Sequence, residues 1–264
     1  MAGRKVGILD SGVGGLSVLR EIRNRLPDLD LHYIGDSAWC PYGVRSSEEI
    51  CGRVGKIVDY LLTQEVSLIV LACNSATIHA VEWLRNIYTV PFVGMEPGVK
   101  PASAATKSGV IGVLATEASI AGEKFHRLVD STAHGVTVIT QPCPKFVEMV
   151  ERGILEGPAV DDAIHEYTDQ IVEKGADVVV LGCTHYPFLR ESIRRILPDS
   201  VTIIDTGEAV ARRVASLLEE ATGSGETVIE TTGDLELWNQ VVPVLLDRPA
   251  AALACRKLVE DSAQ

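Results

Sequence analysis

The sequence predicts an α/β fold, as one large domain or as two similar open parallel-sheet domains, on three observations. Short apolar runs alternate with amphipathic stretches, the order of motifs repeats once along the chain, and 46% of the 264 residues are hydrophobic. Runs of Val, Ile and Leu separated by helical patterns are the mark of βα units around a parallel sheet. Strands are expected at residues 6–9, 31–34, 68–71, 92–93, 110–114, 136–139, 178–181 and 201–204. Helices fill the gaps. One is expected over 46–62, where Ser46, Ser47 and Glu49 form a start like a capping box. A second, over 164–173, stops at Lys174-Gly175, a cation followed by a glycine. A third covers 207–221. No Gly/Ser linker separates the halves, so two domains must pack closely.

The repeat is read from two pairs of segments. Residues 68–73 (LIVLAC) lead into Asn74, Ser75, Ala76 and Thr77, and residues 178–183 (VVVLGC) lead into Thr184, His185, Tyr186 and Pro187. Earlier in each half, VGILDS ending at Ser11 is echoed by IGVLAT ending at Thr116. Parallel strands all look alike, so the strand residues alone do not establish duplication. A small residue followed by cysteine at a similar offset in each half favours it.

A net charge of −12 and a pI near 5.0 leave no basic footprint for nucleic acid. The start runs from MAGRK into a strand-like VGIL without the apolar core of a signal peptide, and the most apolar run, 68–73, is too short to span a bilayer. A cytoplasmic protein with no membrane partner is expected. The six cysteines, Cys40, Cys51, Cys73, Cys143, Cys183 and Cys255, then read as free thiols. No two have CxxC spacing, so no metal is expected.

In open α/β sheets, ligands bind beyond the carboxyl ends of strands. Four polar motifs fall there: Asp10-Ser11-Gly12, Cys73-Asn74-Ser75, Thr116 with its neighbours, and Cys183-Thr184-His185. A free cysteine is often a small buried hydrophobe, which suits Cys51, Cys143 and Cys255. Cys40 borders the Pro41-Tyr42-Gly43 turn without a role of its own. Cys73 and Cys183 differ because each sits at a strand-to-helix junction, where backbone N–H groups favour thiolate. One such thiol suits a nucleophile. Two in repeated halves suit a base and an acid on opposite faces of a planar carbanion, the arrangement that inverts a stereocentre. No lysine lies in the four motifs to anchor a pyridoxal Schiff base, so no cofactor is expected.

Asp10 precedes a turn containing Gly12, Gly14 and Gly15 that fits neither GxGxxG nor a P-loop. Asp10 reads either as a helix N-cap or as a carboxylate for a substrate ammonium, and the second reading is adopted. His185, two residues after Cys183, is read as its acid/base partner rather than an ordinary hydrogen-bonded histidine. Ser11, Asn74, Ser75, Thr116 and Thr184 are neutral donors that serve equally as caps or as carboxylate ligands.

These motifs together resemble the glutamate racemase branch of the aspartate/glutamate racemase superfamily. The residues that carry the likeness are 7–15 (GILDSGVGG), Gly35-Asp36 with Pro41-Tyr42-Gly43, 72–77 (ACNSAT), 182–187 (GCTHYP) and Thr231-Thr232-Gly233-Asp234. The likeness spans essentially the whole chain, and Ser75 stands where threonine is common. It implies cofactor-independent interconversion of L- and D-glutamate, supplying D-glutamate for peptidoglycan. Cys73 would take the proton from D-glutamate and Cys183 from L-glutamate, assisted by Asp10 and His185. Asp36 and Glu151 match further acidic positions with supporting catalytic roles. Substrate would be held by Asp10, Ser11, Pro41, Tyr42, Gly43, Cys73, Asn74, Ser75, Thr116, Cys183, Thr184 and His185. The resemblance also implies a homodimer and an inserted second domain, with residues 1–97 and 207–264 in the first domain and 98–206 in the second. Two other classes stay open: a Cys–His hydrolase on Cys183 and His185, which leaves Cys73 idle, and an amino-acid binding module, which needs neither thiol.

Overall fold

The computed structural model describes residues 5–218, 223–248 and 255–258. Two parallel sheets organise them. The first is built from β1 (Lys5–Asp10), β2 (Asp30–Gly35), β3 (Val66–Leu71), β4 (Phe92–Gly94), β9 (Thr227–Thr231) and β10 (Cys255–Lys257), in the order β10-β9-β2-β1-β3-β4. The second contains β5 (Val110–Ala115), β6 (Thr137–Pro142), β7 (Val178–Leu181) and β8 (Thr202–Ile204), in the order β6-β5-β7-β8. Every pairing is parallel. The strands of each half, numbered from its own start, lie in the same order, 2-1-3-4. The repeat read from the sequence is therefore a repeat of topology. Cys73 follows the third strand of one half and Cys183 the third strand of the other.

All eight expected strands are present, with ends displaced by up to three residues. The central strands β1, β3 and β7 are buried along almost their whole length, as helices on both faces require. Strands β9 and β10 were not expected. Helix α2 (Ser47–Thr63) carries the anticipated capping box: the Ser46 hydroxyl accepts from Glu49 N–H, and the Glu49 carboxylate accepts from Ser46 N–H at 2.9 Å. Helix α8 (Pro158–Glu173) begins six residues before the expected start, because Pro158 occupies its first turn after Gly157, whose φ of 105° only glycine adopts readily. Helix α10 covers Gly207–Leu217, and residues 219–221 of the expected helix lie outside the described residues.

The remaining helices close the layers: α1 (Leu16–Arg25), α3 (Asn74–Ile87), α4 (Val99–Ala105), α5 (Glu117–Ala121), α6 (Glu123–Thr132), α7 (Pro144–Glu151), α9 (Arg190–Ile196) and α11 (Leu235–Leu246). Helix α10 packs on α1, returning the chain to the first half. The α11 side chain Trp238 is fully buried, and a Cβ on Gly35 would meet its ring at 2.1 Å. That contact seats the C-terminal segment beneath the loop after β2. No helix among the described residues is long and apolar enough to cross a membrane.

Candidate active site

The carboxyl ends of β1, β3, β5 and β7 converge between the two halves. A small, nearly filled cavity lies there, lined by Cys73 and Cys183 together with Ser11, Pro41, Tyr42, Gly43, Asn74, Ser75, Thr116, Thr184 and His185. Residues drawn from positions 11 to 185 thus meet around one narrow space. Asp10 is buried immediately behind this wall. The sequence reading had no signal for one further lining residue, Val147, an ordinary apolar position of α7.

The two thiols stand in different settings. Cys73 is the N-cap of α3, and its sulfur accepts from Ala76 N–H at 3.5 Å and lies 3.8 Å from Ser11 Oγ. Burial and the adjacent Asp10 carboxylate nevertheless push the thiol up to about 12, outweighing the Ala76 N–H. The expectation that the helix N-terminus favours thiolate at Cys73 is thus corrected: desolvation dominates in a fully enclosed position. Cys183 is followed not by an α-helix but by a short 3-10 turn, Tyr186–Leu189, so the helix-terminus argument does not apply to it. Its partner is a side chain. Cys183 Sγ lies 3.6 Å from His185 Nδ1, and His185 Nε2 lies 2.7 Å from Glu151 Oε1. Burial opposes the imidazolium, but hydrogen bonds with Cys183, Cys40 and Glu151 prevail and hold His185 well above its ordinary range. The imidazole beside Cys183 is thus biased toward its protonated form.

Asp10 links the halves. Its Oδ1 accepts from Gly12 N–H at 2.8 Å and its Oδ2 from the Thr184 hydroxyl at 3.0 Å. It is not the N-cap of α1, a position held by Gly15. Burial pushes its carboxyl up to about 6, against the pull of His185. More bonds cross the same boundary. Val13 N–H donates to Glu151 Oε1 at 2.9 Å, the Ser17 hydroxyl donates to the Thr184 carbonyl at 2.8 Å, and the Ser75 and Thr116 hydroxyls lie 3.1 Å apart. The glycine-rich turn owes its composition to this closeness. A Cβ at Gly12 would stand 1.9 Å from Glu151 Oε1, and one at Gly14 would stand 2.4 Å from His185 Nδ1.

Asn74 carries the clearest sign of a ligand. Its amide is buried at the cavity wall, and neither its nitrogen nor its oxygen has a partner among the described residues. Buried amides are rarely left so unless something else completes them. Thr116 acts as a cap as well as a wall, accepting from Ser119 N–H at the start of α5.

Asp36 is brought elsewhere. Its Oδ1 and Oδ2 each take a 2.7 Å bond from Arg53, while the Tyr42 hydroxyl donates at 2.6 Å and the Thr232 hydroxyl at 2.8 Å. Its reach toward the cavity runs through Tyr42. Arg53 was invisible to sequence reasoning because a cation in an amphipathic helix looks like surface. The Thr231-Thr232-Gly233-Asp234 motif has two uses here: Thr232 anchors Asp36, and Asp234 caps α11. Among the other thiols, Cys143 is buried and Cys51 bonds the His79 carbonyl, whereas Cys40 lies 3.6 Å from Glu151 Oε1.

A family model described as Asp/Glu/Hydantoin racemase matches residues 7–214. The chain is 48% identical over 240 residues to the glutamate racemase of Herpetosiphon aurantiacus, covering 89% of this chain and 94% of that one. Escherichia coli glutamate racemase, solved in complex with L-glutamate and the activator UDP-MurNAc-ala, superposes with a TM-score of 0.85 at 32% identity, covering 97% of this chain and 98% of that one. The Francisella tularensis glutamate racemase, solved with D-glutamate, superposes with a TM-score of 0.82 at 29% identity and the same coverage.

Proposed function

This chain belongs to the Asp/Glu/hydantoin racemase family, and from that premise we propose that it interconverts L- and D-glutamate by two-thiol proton transfer. The observation that carries the proposal is the pair of buried cysteines, each after the third strand of its half, lining one cavity. Cys73 removes the α-proton of D-glutamate and Cys183 that of L-glutamate. In each direction the opposite thiol returns a proton to the far face of the carbanion. The α-carboxylate and side-chain carboxylate are held by the neutral donors Ser11, Asn74, Ser75, Thr116 and Thr184, with Asn74 completing its unpartnered amide on one of them.

Asp10 takes the substrate ammonium in this reading. That pairing offsets the negative charge that helps to keep Cys73 protonated, so binding substrate itself eases the proton off the thiol. His185, cationic beside Cys183, stabilises the thiolate there, and Glu151 fixes the imidazole from its far side. Asp36 is a positioning residue in the same proposal, acting through Tyr42. The product serves peptidoglycan synthesis, the protein works in the cytoplasm as a homodimer, and residues 98–206 form the inserted unit, since all four strands of the second sheet fall within them.

The test is incubation with L-glutamate in deuterium oxide. Racemisation accompanied by α-deuterium incorporation is expected, and Cys73→Ala or Cys183→Ala should each abolish racemisation. A folded protein that exchanges no α-proton would overturn the reading. A Cys–His hydrolase would instead survive Cys73→Ala and form an acyl-enzyme.

A further inference from the structure

Cys40 has no part in the proton transfers, yet its sulfur stands within a set of metal-ligand atoms. Cys40 Sγ, Glu151 Oε1 and His185 Nε2 all lie within 4.8 Å of one another, although Cys40 and Glu151 are 111 positions apart in the chain. The nitrogen–oxygen edge of this triangle is 2.7 Å and the sulfur–oxygen edge 3.6 Å. Tetrahedral zinc, with bonds of about 2.0–2.3 Å, spaces its ligand atoms roughly 3.3–3.8 Å apart. Opening the 2.7 Å edge by about 1 Å, with the sulfur–nitrogen edge already within 4.8 Å, brings the triangle close to three corners of a zinc site. One thiolate, one imidazole and one carboxylate are the donor set a borderline-soft cation prefers over Mg²⁺ or Ca²⁺.

Two further features suit a metal. His185 would bind through Nε2 and keep Nδ1 toward Cys183, so its ring is already oriented by a partner on the opposite nitrogen, as metal-bound histidines are. A second cavity of about 400 Å³ adjoins the triangle and is lined by Cys40, Pro41, Pro144, Glu151 and Arg152. It gives an entry path and room for a water in the fourth position.

We propose that Cys40, Glu151 and His185 form an inhibitory site for a thiophilic divalent cation, with Zn²⁺ as the type. Binding forms metal–sulfur, metal–nitrogen and metal–oxygen bonds and releases two protons to solvent, one from the Cys40 thiol and one from His185 Nε2. The oxidation state of every atom is unchanged. With the metal in place, His185 keeps Nδ1–H toward Cys183 but loses the Nε2 proton and its bond to Glu151. The ring is then pinned as a neutral metal ligand instead of a cation supporting the Cys183 thiolate, and proton transfer on that face slows until the metal is removed. The binding site is independent of the substrate assignment, whereas the inhibitory effect rests on the racemase reading.

Co²⁺ replaces zinc as a spectroscopic probe, read without substrate. Metal-free protein should take up one Co²⁺ with the near-ultraviolet absorption of a single thiolate–cobalt bond and the visible bands of tetrahedral geometry, both bleached by Zn²⁺. The absorption should persist in the Cys73→Ser/Cys183→Ser double variant. It should disappear in Cys40→Ser, and Glu151→Gln should weaken cobalt binding at least 10-fold. Zn²⁺ should also inhibit racemisation reversibly, with a chelator restoring it, and Cys40→Ser should need at least 10-fold more Zn²⁺. A thiolate band lost with the catalytic pair but kept in Cys40→Ser would overturn the proposal, as would no band at all. Correct cobalt binding without racemase activity would instead count against the functional reading alone.

Discussion

The two halves share a strand order but treat their thiols differently, and the difference separates what duplication supplies from what chemistry adds. Each half delivers a cysteine from the end of its third strand into the common cavity. In the first half the sulfur caps a 14-residue helix, is enclosed, and is pushed up to about 12 by burial and Asp10. In the second half a short turn separates the cysteine from the helix α9, and the sulfur meets a buried imidazole braced by Glu151. The backbone plan is symmetric. The electrostatics are not.

The sharpest way to break the comparison is to remove each sulfur in turn. Cys73→Ala and Cys183→Ala should each lower racemisation by about 10⁴-fold or more, the upper end for loss of a positioned acid or base. Purified variants assayed by circular dichroism of glutamate would read this. Retention of activity in either one would end the two-thiol reading.

Next in size is Asp36. Asp36→Ala deprives Arg53 of a buried bidentate partner and should cost about 3–5 kcal/mol of stability, measured by urea unfolding. The folded fraction should still exchange the substrate α-proton, since Asp36 reaches the cavity only through Tyr42. A stable variant with no exchange would place Asp36 in the chemistry instead.

His185→Asn tests the asymmetry directly and should lower kcat/KM by about 10²-fold or more. Substrate enantiomers are equally stable, so kcat/KM must fall equally in both directions. The primary isotope effects should nevertheless diverge. α-Deuterated L-glutamate, deprotonated at Cys183, should show the larger effect, and α-deuterated D-glutamate a suppressed one. Equal effects would mean that His185 serves both thiols.

Asp10 gives the change of opposite sign. Its carboxyl is raised from 3.8 to about 6 by burial, so ionising it weakens the fold: stability is greatest below pH 3.8 as far as this group is concerned and is lost as pH rises through 6. At neutral pH the loss is on the order of 3 kcal/mol. Asp10→Asn keeps an acceptor for Gly12 and a polar group for Thr184, and it should raise the melting temperature at pH 7.5 while lowering racemisation. A lowered melting temperature would mean that the carboxylate charge is stabilising after all.

How far the sequence reached depended on where the chemistry sat. Strands β1–β8 were legible because buried parallel strands are nearly continuous apolar runs. Strand β9 (TVIET) alternates polar residues into five positions, and β10 ends in the exposed pair Arg256-Lys257, so neither resembles a core strand. Cavity residues were legible because polar side chains at strand ends have no role in the core. The partners that organise them were not. Arg53 under Asp36 and Cys40 beside Glu151 become neighbours only through loop paths, and no local pattern encodes such meetings.

The turn at Gly12 and Gly14 has a consequence for inheritance and for engineering. Because a single added methyl at either position would strike Glu151 or His185, the turn of one half is a mould of two side chains from the other. A chimera that grafts the second half of a relative onto this first half should assemble only when those two side chains arrive in the same rotamers. The two units, however alike in plan, have lost the freedom to change partners.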